Sequence, residues 1–198
     1  MSSRRQRVTE APSYLLHATA WKESSLIAQM FSRDHGVVSL VAKGAKRPYS
    51  ALKPVLLHFQ PLLLSWTGVN EVKTLTRAEL GGVHALSGKA LMSAWYMNEL
   101  LLRLLPREDA HPALFDQYQL ALQALSQPDP RVIAVLRQFE WRLLQEAGYG
   151  LDEAVPDFSD NLQEPQLRQR LRERIDYLLG RPLRTRTVLM ELQQHGCP

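Results

Sequence analysis

The 198-residue chain has a single cysteine, Cys197. No disulfide can form within it, so the cytoplasm is the expected compartment. No apolar run approaches the roughly 18 residues that a membrane-spanning helix needs. The longest, around Leu62–Leu64, is interrupted by Pro61 and Ser65. After Arg4, Arg5 and Arg7 the chain lacks the apolar stretch of a secretory signal. A glycine-rich phosphate loop, a dinucleotide fingerprint and a nucleophile elbow are all missing. The six histidines (His17, His35, His58, His84, His111 and His195) are scattered, with no pair at metal-ligand spacing on a helix. Cys197 stands next to last, a poor place for a nucleophile that needs support. Glu99, Glu140 and Glu146 lie among leucines and read as helix-surface carboxylates rather than general acids. These absences predict a protein that is not an enzyme and uses no metal or cofactor. A hydrolase site assembled from distant residues is the alternative that a linear sequence leaves open.

Acidic residues are unevenly spread. Between Asp34 and Glu71 there are none, while Lys43, Lys46, Arg47 and Lys53 all fall in that interval. Residues 1–82 hold 11 Lys and Arg against 5 Asp and Glu, a balance of +6. Residues 83–198 hold 13 against 15, a balance of −2 within an overall +4. A basic part joined to a mildly acidic one points to an anionic partner for the first, with a surplus of solubilising charge as the alternative.

The pattern changes at the same place. Short stretches at 13–19, 24–32, 36–43, 54–66 and 71–79 read as strands, separated by turn residues. In the last, Val72, Thr74 and Thr76 alternate with Lys73, Leu75 and Arg77. Five short strands in about 70 residues suit a small closed barrel of the OB-fold type. After Gly81 and Gly82 the apolar period becomes helical. Helices are expected from Ser87 to Pro106, from Pro112 to Leu125, from about Asp129 to Ala147, and from Glu164 to Leu179 with Gly180 as its stop. Residues 149–165 read as a loop, and 182–194 as one further short helix. The fold class is therefore α+β, with a barrel domain over 1–82 that carries a short basic N-terminal arm (Arg4, Arg5, Arg7) and an all-helical domain over 83–198.

The densest cationic segment is Lys43–Arg47, with Gly44 and Ala45 inside it. Small residues at a strand end let backbone and cations approach a phosphate chain, and each neutralised phosphate releases counterions. Trp21 and Tyr49 are candidate stacking surfaces. A solvated turn with ordinary charges, and aromatics that belong to the core or an edge, are the alternatives.

At these residues the chain resembles the RecO family of bacterial DNA repair proteins. The resemblance runs through Tyr14–His17 (YLLH), Glu23–Leu26 (ESSL), Phe31–Gly36 (FSRDHG), Leu40–Arg47 (LVAKGAKR), Leu52–Pro54, Glu71–Leu75 with Ala78 and Glu79, and Tyr96–Leu100 (YMNEL). It continues in Leu114–Tyr118 (LFDQY), Leu136–Glu140 (LRQFE), Gly148–Gly150 and Tyr177–Arg186. It implies a recombination mediator that binds single- and double-stranded DNA and anneals complementary strands. It also implies work with RecR, in many bacteria with RecF, to help RecA displace the single-strand-binding protein, in the cytoplasm and at the nucleoid. On this reading Lys43, Lys46, Arg47, Lys53, Lys73 and Arg77 contact DNA. Tyr118 and Arg137 receive the acidic, Phe-ended tail of the single-strand-binding protein, although Arg137 equally fits a plain surface cation. Many relatives carry an insertion after the Gly-Tyr-Gly segment, in some with paired cysteines and zinc. Here 151–161 is a short acidic bridge without cysteine, so no zinc is expected. An adaptor whose basic barrel binds an acidic protein is the competing function.

Overall fold

The structure, a computed structural model, describes residues 7–151, 154–160 and 162–185. Five strands, β1 (Arg7–Trp21), β2 (Ser25–Ser32), β3 (Gly36–Ala42), β4 (Leu62–Thr67) and β5 (Val72–Leu80), precede four helices. These are α1 (Gly88–Leu104), α2 (Pro112–Leu125), α3 (Val132–Glu146) and α4 (Glu164–Leu179). The strands close into a barrel in the order β1-β2-β3-β5-β4, with β4 returning to β1. All neighbours are antiparallel except β3 and β5, whose parallel seam has three pairs: Ser39 with Val72, Leu40 with Lys73, and Val41 with Thr74. This is the five-stranded OB-fold followed by helices that the two hydrophobic periods predict.

One long strand serves two neighbours. The first half of β1 pairs with β4 and its second half with β2, and two irregularities make this possible. Between Val8 and Ala11 the register slips, Glu10 takes φ 51°, and its N–H donates to Ser65 Oγ at 3.1 Å. A second slip between Leu15 and His17 breaks the alternation. Consecutive residues Ser13 to Leu16 are all buried, because this stretch of β1 is covered on both faces. Leu15, Met30, Leu40, Leu62, Leu64 and Trp66 form the dry barrel interior. Tyr14 and its cross-strand partner Phe31 pack instead on Phe115, each with ring centroids 5.4 Å from it.

Strand boundaries depart from the sequence pattern where local bonds win. β1 begins at Arg7 rather than at residue 13, so Arg7 belongs to a strand and not to a basic arm. Arg4 and Arg5 lie outside the described residues. β4 begins at Leu62, not at residue 54. Residues 50–57 instead close successive turns, among them Lys53 N–H to Ser50 O at 3.2 Å and Leu56 N–H to Leu52 O at 2.9 Å. Phe59 at φ 65° then prevents an extended run. In β5 the register passes from Ser65–Arg77 to Trp66–Leu75, leaving Thr76 as an extra residue. That bulge separates Lys73, which turns inward with Leu75, from Arg77, which is exposed.

The compact units interleave along the chain. One comprises residues through His84 together with Pro106–Phe115; the other comprises Ala85–Leu105 and the chain from Asp116 onward. In the first, the returning segment lies on the start of β3. Glu108 N–H donates to Val37 O at 3.1 Å, and Arg107 bridges in parallel to Val37. Arg107 reaches Glu71 at 2.5 Å and Ser39 Oγ at 3.3 Å. Glu108, itself at φ 59°, accepts from Lys73 Nζ at 2.5 Å. Gly36 (φ 64°) has no room for a Cβ, which would collide with the backbone of Asp109.

In the second unit, apolar stripes meet in a common core that includes Ala94, Met97, Phe139, Leu143, Leu171 and Ile175. Gly180, left-handed at φ 59°, ends α4 as expected. Beyond it, Glu99 of α1 accepts from the N–H groups of Arg184 at 2.8 Å and Thr185 at 2.9 Å. Burial alone raises this carboxyl; those donors, the Thr185 hydroxyl and Arg103 outweigh it, and the pKa falls below its ordinary value. The expected last helix over 182–194 falls largely outside the described residues.

Three measurements follow from this architecture. Gly36→Ala combines a left-handed backbone with a backbone collision, and a loss of ~2 kcal/mol or more is expected in urea unfolding. Glu108→Gln takes the counter-charge from the buried Lys73 ammonium, leaving at most a neutral acceptor, and costs about 1–3 kcal/mol. Lys73→Met leaves Glu108 in solvent and costs less than about 1 kcal/mol, so the two partners of one ion pair differ in unfolding free energy. Finally, burial, with a smaller contribution from His17, pushes His58 from 6.5 down to about 4. The unfolded chain therefore binds this proton before the fold does. The contribution is fully present above pH 6.5 and is lost as pH falls from 6.5 to about 4. His58→Gln should remove that part of the slope in urea midpoints measured across the interval.

Candidate nucleic-acid interface

Strand ends and two turns at one end of the barrel enclose a cleft of about 560 Å³. Trp21 closes β1, and Lys22, at φ 52°, begins the turn to β2. Opposite stands the turn after β3. There Ala45 N–H meets Ala42 O at 3.4 Å, and Gly44 takes φ 72° at the third position, a conformation that favours glycine. Arg47 N–H then meets Gly44 O at 3.0 Å, which turns the chain back. The two turns are tied to each other. Lys46 N–H donates to Ser24 O at 3.0 Å, and Lys46 Nζ to Lys22 O at 3.3 Å. Trp21, Lys22, Lys43, Gly44, Arg47 and Val72 line the space, and no carboxylate does among the described residues. Glu71, next to Val72, has its charge answered by Arg107.

The sequence-derived DNA contacts divide on this geometry. Lys43 and Arg47 line the cleft, and Lys46 clamps its two walls together. Lys53 is exposed farther along the same loop and does not line it. Arg77 is exposed but pairs with Glu79. Lys73 is 6% exposed and held by Glu108, so it is a buried structural cation rather than a surface contact. Of the two candidate aromatics, Trp21 lines the cleft at 47% exposure, while Tyr49 is fully exposed outside it. Lys22 was not singled out by the sequence. Its one signal was its place beside Trp21, ahead of Glu23, in a turn between two predicted strands.

The two helical candidates, Tyr118 and Arg137, are both buried. Tyr118 is fully buried, and its hydroxyl donates to Asn98 Oδ1 at 2.5 Å. Arg137 has a side chain 10% exposed. It faces Glu140 Oε2 at 2.9 Å and Glu164 Oε1 at 3.9 Å. Glu140 also accepts from the Tyr96 hydroxyl at 2.6 Å. The counter-charges of Arg137 thus come from its own helix and from the start of α4. A separate groove of about 580 Å³ in this unit is lined by Lys89, Arg131, Ile133, Phe158 and Glu164, among others. No cluster of three or more His, Cys, Asp or Glu among the described residues is placed to hold a metal ion. Nor is any described helix long and apolar enough to cross a membrane.

Comparison with known proteins agrees with both halves. The family described as Recombination protein O N terminal matches residues 7–83, and Recombination protein O C terminal matches 86–155. A protein of Aromatoleum aromaticum, named DNA repair protein RecO, is 44% identical over 97% of this chain and 99% of its own length. That alignment runs to 239 positions against 198 residues here, so the relative carries residues that this chain lacks. A protein of the same name from Cupriavidus metallidurans is 43% identical over 94% of the chain and 78% of its own. Another, from Cupriavidus pinatubonensis, reaches 57% over 73% of the chain and 50% of its own. With both family halves matched in order on an OB-fold barrel and a helical unit, the chain belongs to the RecO family of DNA repair proteins.

Proposed function

We propose that the chain is a recombination mediator that binds DNA at the barrel cleft, anneals complementary strands and helps load RecA onto strands coated with single-strand-binding protein. The observation that carries the DNA role is the cleft itself, where Lys22, Lys43 and Arg47 converge with no carboxylate among the described lining residues. Cations fixed on a rigid barrel lower the mutual repulsion of two phosphate chains, so that base pairing between them can proceed. Nothing is consumed, and no catalytic group or cofactor is required. Lys46 and Lys53 on the loop after β3, and Arg77 on β5, whose charge Glu79 answers in the free protein, are further contacts on this reading, and Arg4 and Arg5 add charge ahead of β1. RecR, and RecF where it is used, are the expected partners, and the nucleoid in the cytoplasm is the expected place of action.

Docking of the coating protein's acidic, Phe-ended tail belongs to the helical unit on this reading. Tyr118 and Arg137 would have to leave a closed arrangement to receive it. The groove beside Arg131 and Lys89 offers exposed cations next to Ile133, which is 59% exposed, and next to Phe158. A tail carboxylate and an aromatic side chain match those two features.

The test is annealing of two complementary oligonucleotides coated with the cognate single-strand-binding protein. Acceleration is expected, and it should fail when the coating protein lacks its tail. Replacing Lys43, Lys46 and Arg47 together by Gln should weaken binding to bare single strands. It should also flatten the log–log salt dependence by about 0.7 per lost phosphate contact. An unchanged slope, or no binding at low salt, would remove the barrel from the DNA role and favour an acidic protein as its ligand.

A further inference from the structure

A purely electrostatic phosphate track needs cations and backbone, yet much of this cleft is apolar. Its lining includes Ile27, Val41 and Val72, residues from three strands, with Val72 41% exposed. Trp21 stands beside them with nearly half of its surface open to water. An indole left in solvent at a strand end forgoes burial that the barrel core offers to Trp66, which is 2% exposed. Lys22, Lys43 and Arg47 share the lining with these apolar residues. The walls are fixed, because the Lys46 main chain and ammonium join the turn after β3 to the turn after β1. The remaining polar lining includes the hydroxyls of Ser24 and Ser25. A hydroxyl both donates and accepts, so it tolerates any base edge.

We propose that this cleft is a nucleobase pocket: Trp21 stacks on one unpaired base while Lys22, Lys43 and Arg47 hold the phosphates that flank it. The proposal rests on the DNA-binding reading above and adds what that reading lacks, a discrimination between strand states. In a duplex the faces of the bases are covered by their neighbours, so only a single strand can present a face to Trp21. Stacking on an aromatic ring accepts all four bases and carries little sequence preference. The cations give both strand states their common, salt-dependent affinity, and the indole adds a term for single strands alone. Tyr49, fully exposed and outside the cleft, has no part in it.

The experiment is fluorescence anisotropy on the full-length protein over a salt series, with three labelled probes: a single-stranded oligonucleotide, its duplex, and a single strand whose sugars carry no bases. The wild-type protein should bind the abasic strand roughly tenfold or more weakly than the intact strand. Trp21→Ala should weaken intact single-strand binding by a similar factor, leave duplex and abasic binding within about twofold of wild type, and leave the salt slope unchanged. Trp21→Phe should recover most of the loss. Equal affinity of the wild-type protein for intact and abasic strands would overturn the pocket, whatever the variants do. So would an equal loss on single strand and duplex in Trp21→Ala, which would mark Trp21 as structural. Removal of Lys43 and Arg47 with no change in slope on any probe is a different failure, that of the DNA-binding reading itself.

Discussion

The parallel seam between β3 and β5 is the constraint on which the barrel depends. It has three residue pairs, fewer than any other junction of the closed sheet. Parallel pairing is also slightly less stable per residue than antiparallel pairing. The chain compensates with a segment from elsewhere. Arg107 and Glu108 lie against the start of β3 and attach by ion pairs to Glu71, just ahead of β5, and to Lys73 within it. One short stretch of backbone thus holds both strands of the seam. Gly36 is what permits the approach, since any side chain there would occupy the backbone position of Asp109.

The same attachment shapes the cleft's electrostatics. Glu71 would otherwise place an unanswered negative charge next to Val72, at the mouth of the cationic surface. Arg107 neutralises it, while Glu108 answers the inward Lys73. The residue that looked most like an additional phosphate contact by strand alternation is therefore a structural cation. The positive charge that lines the cleft comes from turns rather than from strands: Lys22 in one, Lys43 and Arg47 in another. Turn cations project from the sheet end into solvent, where their charge is available to a polyanion.

Much of the architecture is legible from period and composition. The switch from alternation to helical spacing near residue 82, the absence of acids between Asp34 and Glu71, and the stops at Pro106 and Gly180 each have a local physical cause. The features that escaped are non-local. Thr76 is an extra residue in β5 only relative to β4, so no reading of β5 alone places Lys73 inside and Arg77 outside. Arg137 meets Glu140 three residues along its own helix, and its second carboxylate, Glu164, lies across a loop on another helix. Residues 54–61 read as the start of a strand from their apolar content, and turn hydrogen bonds and the left-handed Phe59 exclude it. Of the proposed site, the cationic run after β3 was readable; its convergence with Trp21 and Lys22 required the register of β1 on β2 and of β2 on β3.

The path of the chain between its two compact units has a consequence for how the protein can be divided. The stretch 85–105 leaves the first unit, and 106–115 returns to it before the chain departs for good. A fragment cut after residue 84 would contain every strand yet omit Phe115, baring Tyr14 and Phe31 as a contiguous aromatic surface. It would also lose the answering charges for Glu71 and Lys73. No single cut yields both units whole. Phe115 and the partners of Glu71 and Lys73 are synthesised only after the first helix, and in any transplantation or shuffling of these parts the two units must be inherited together.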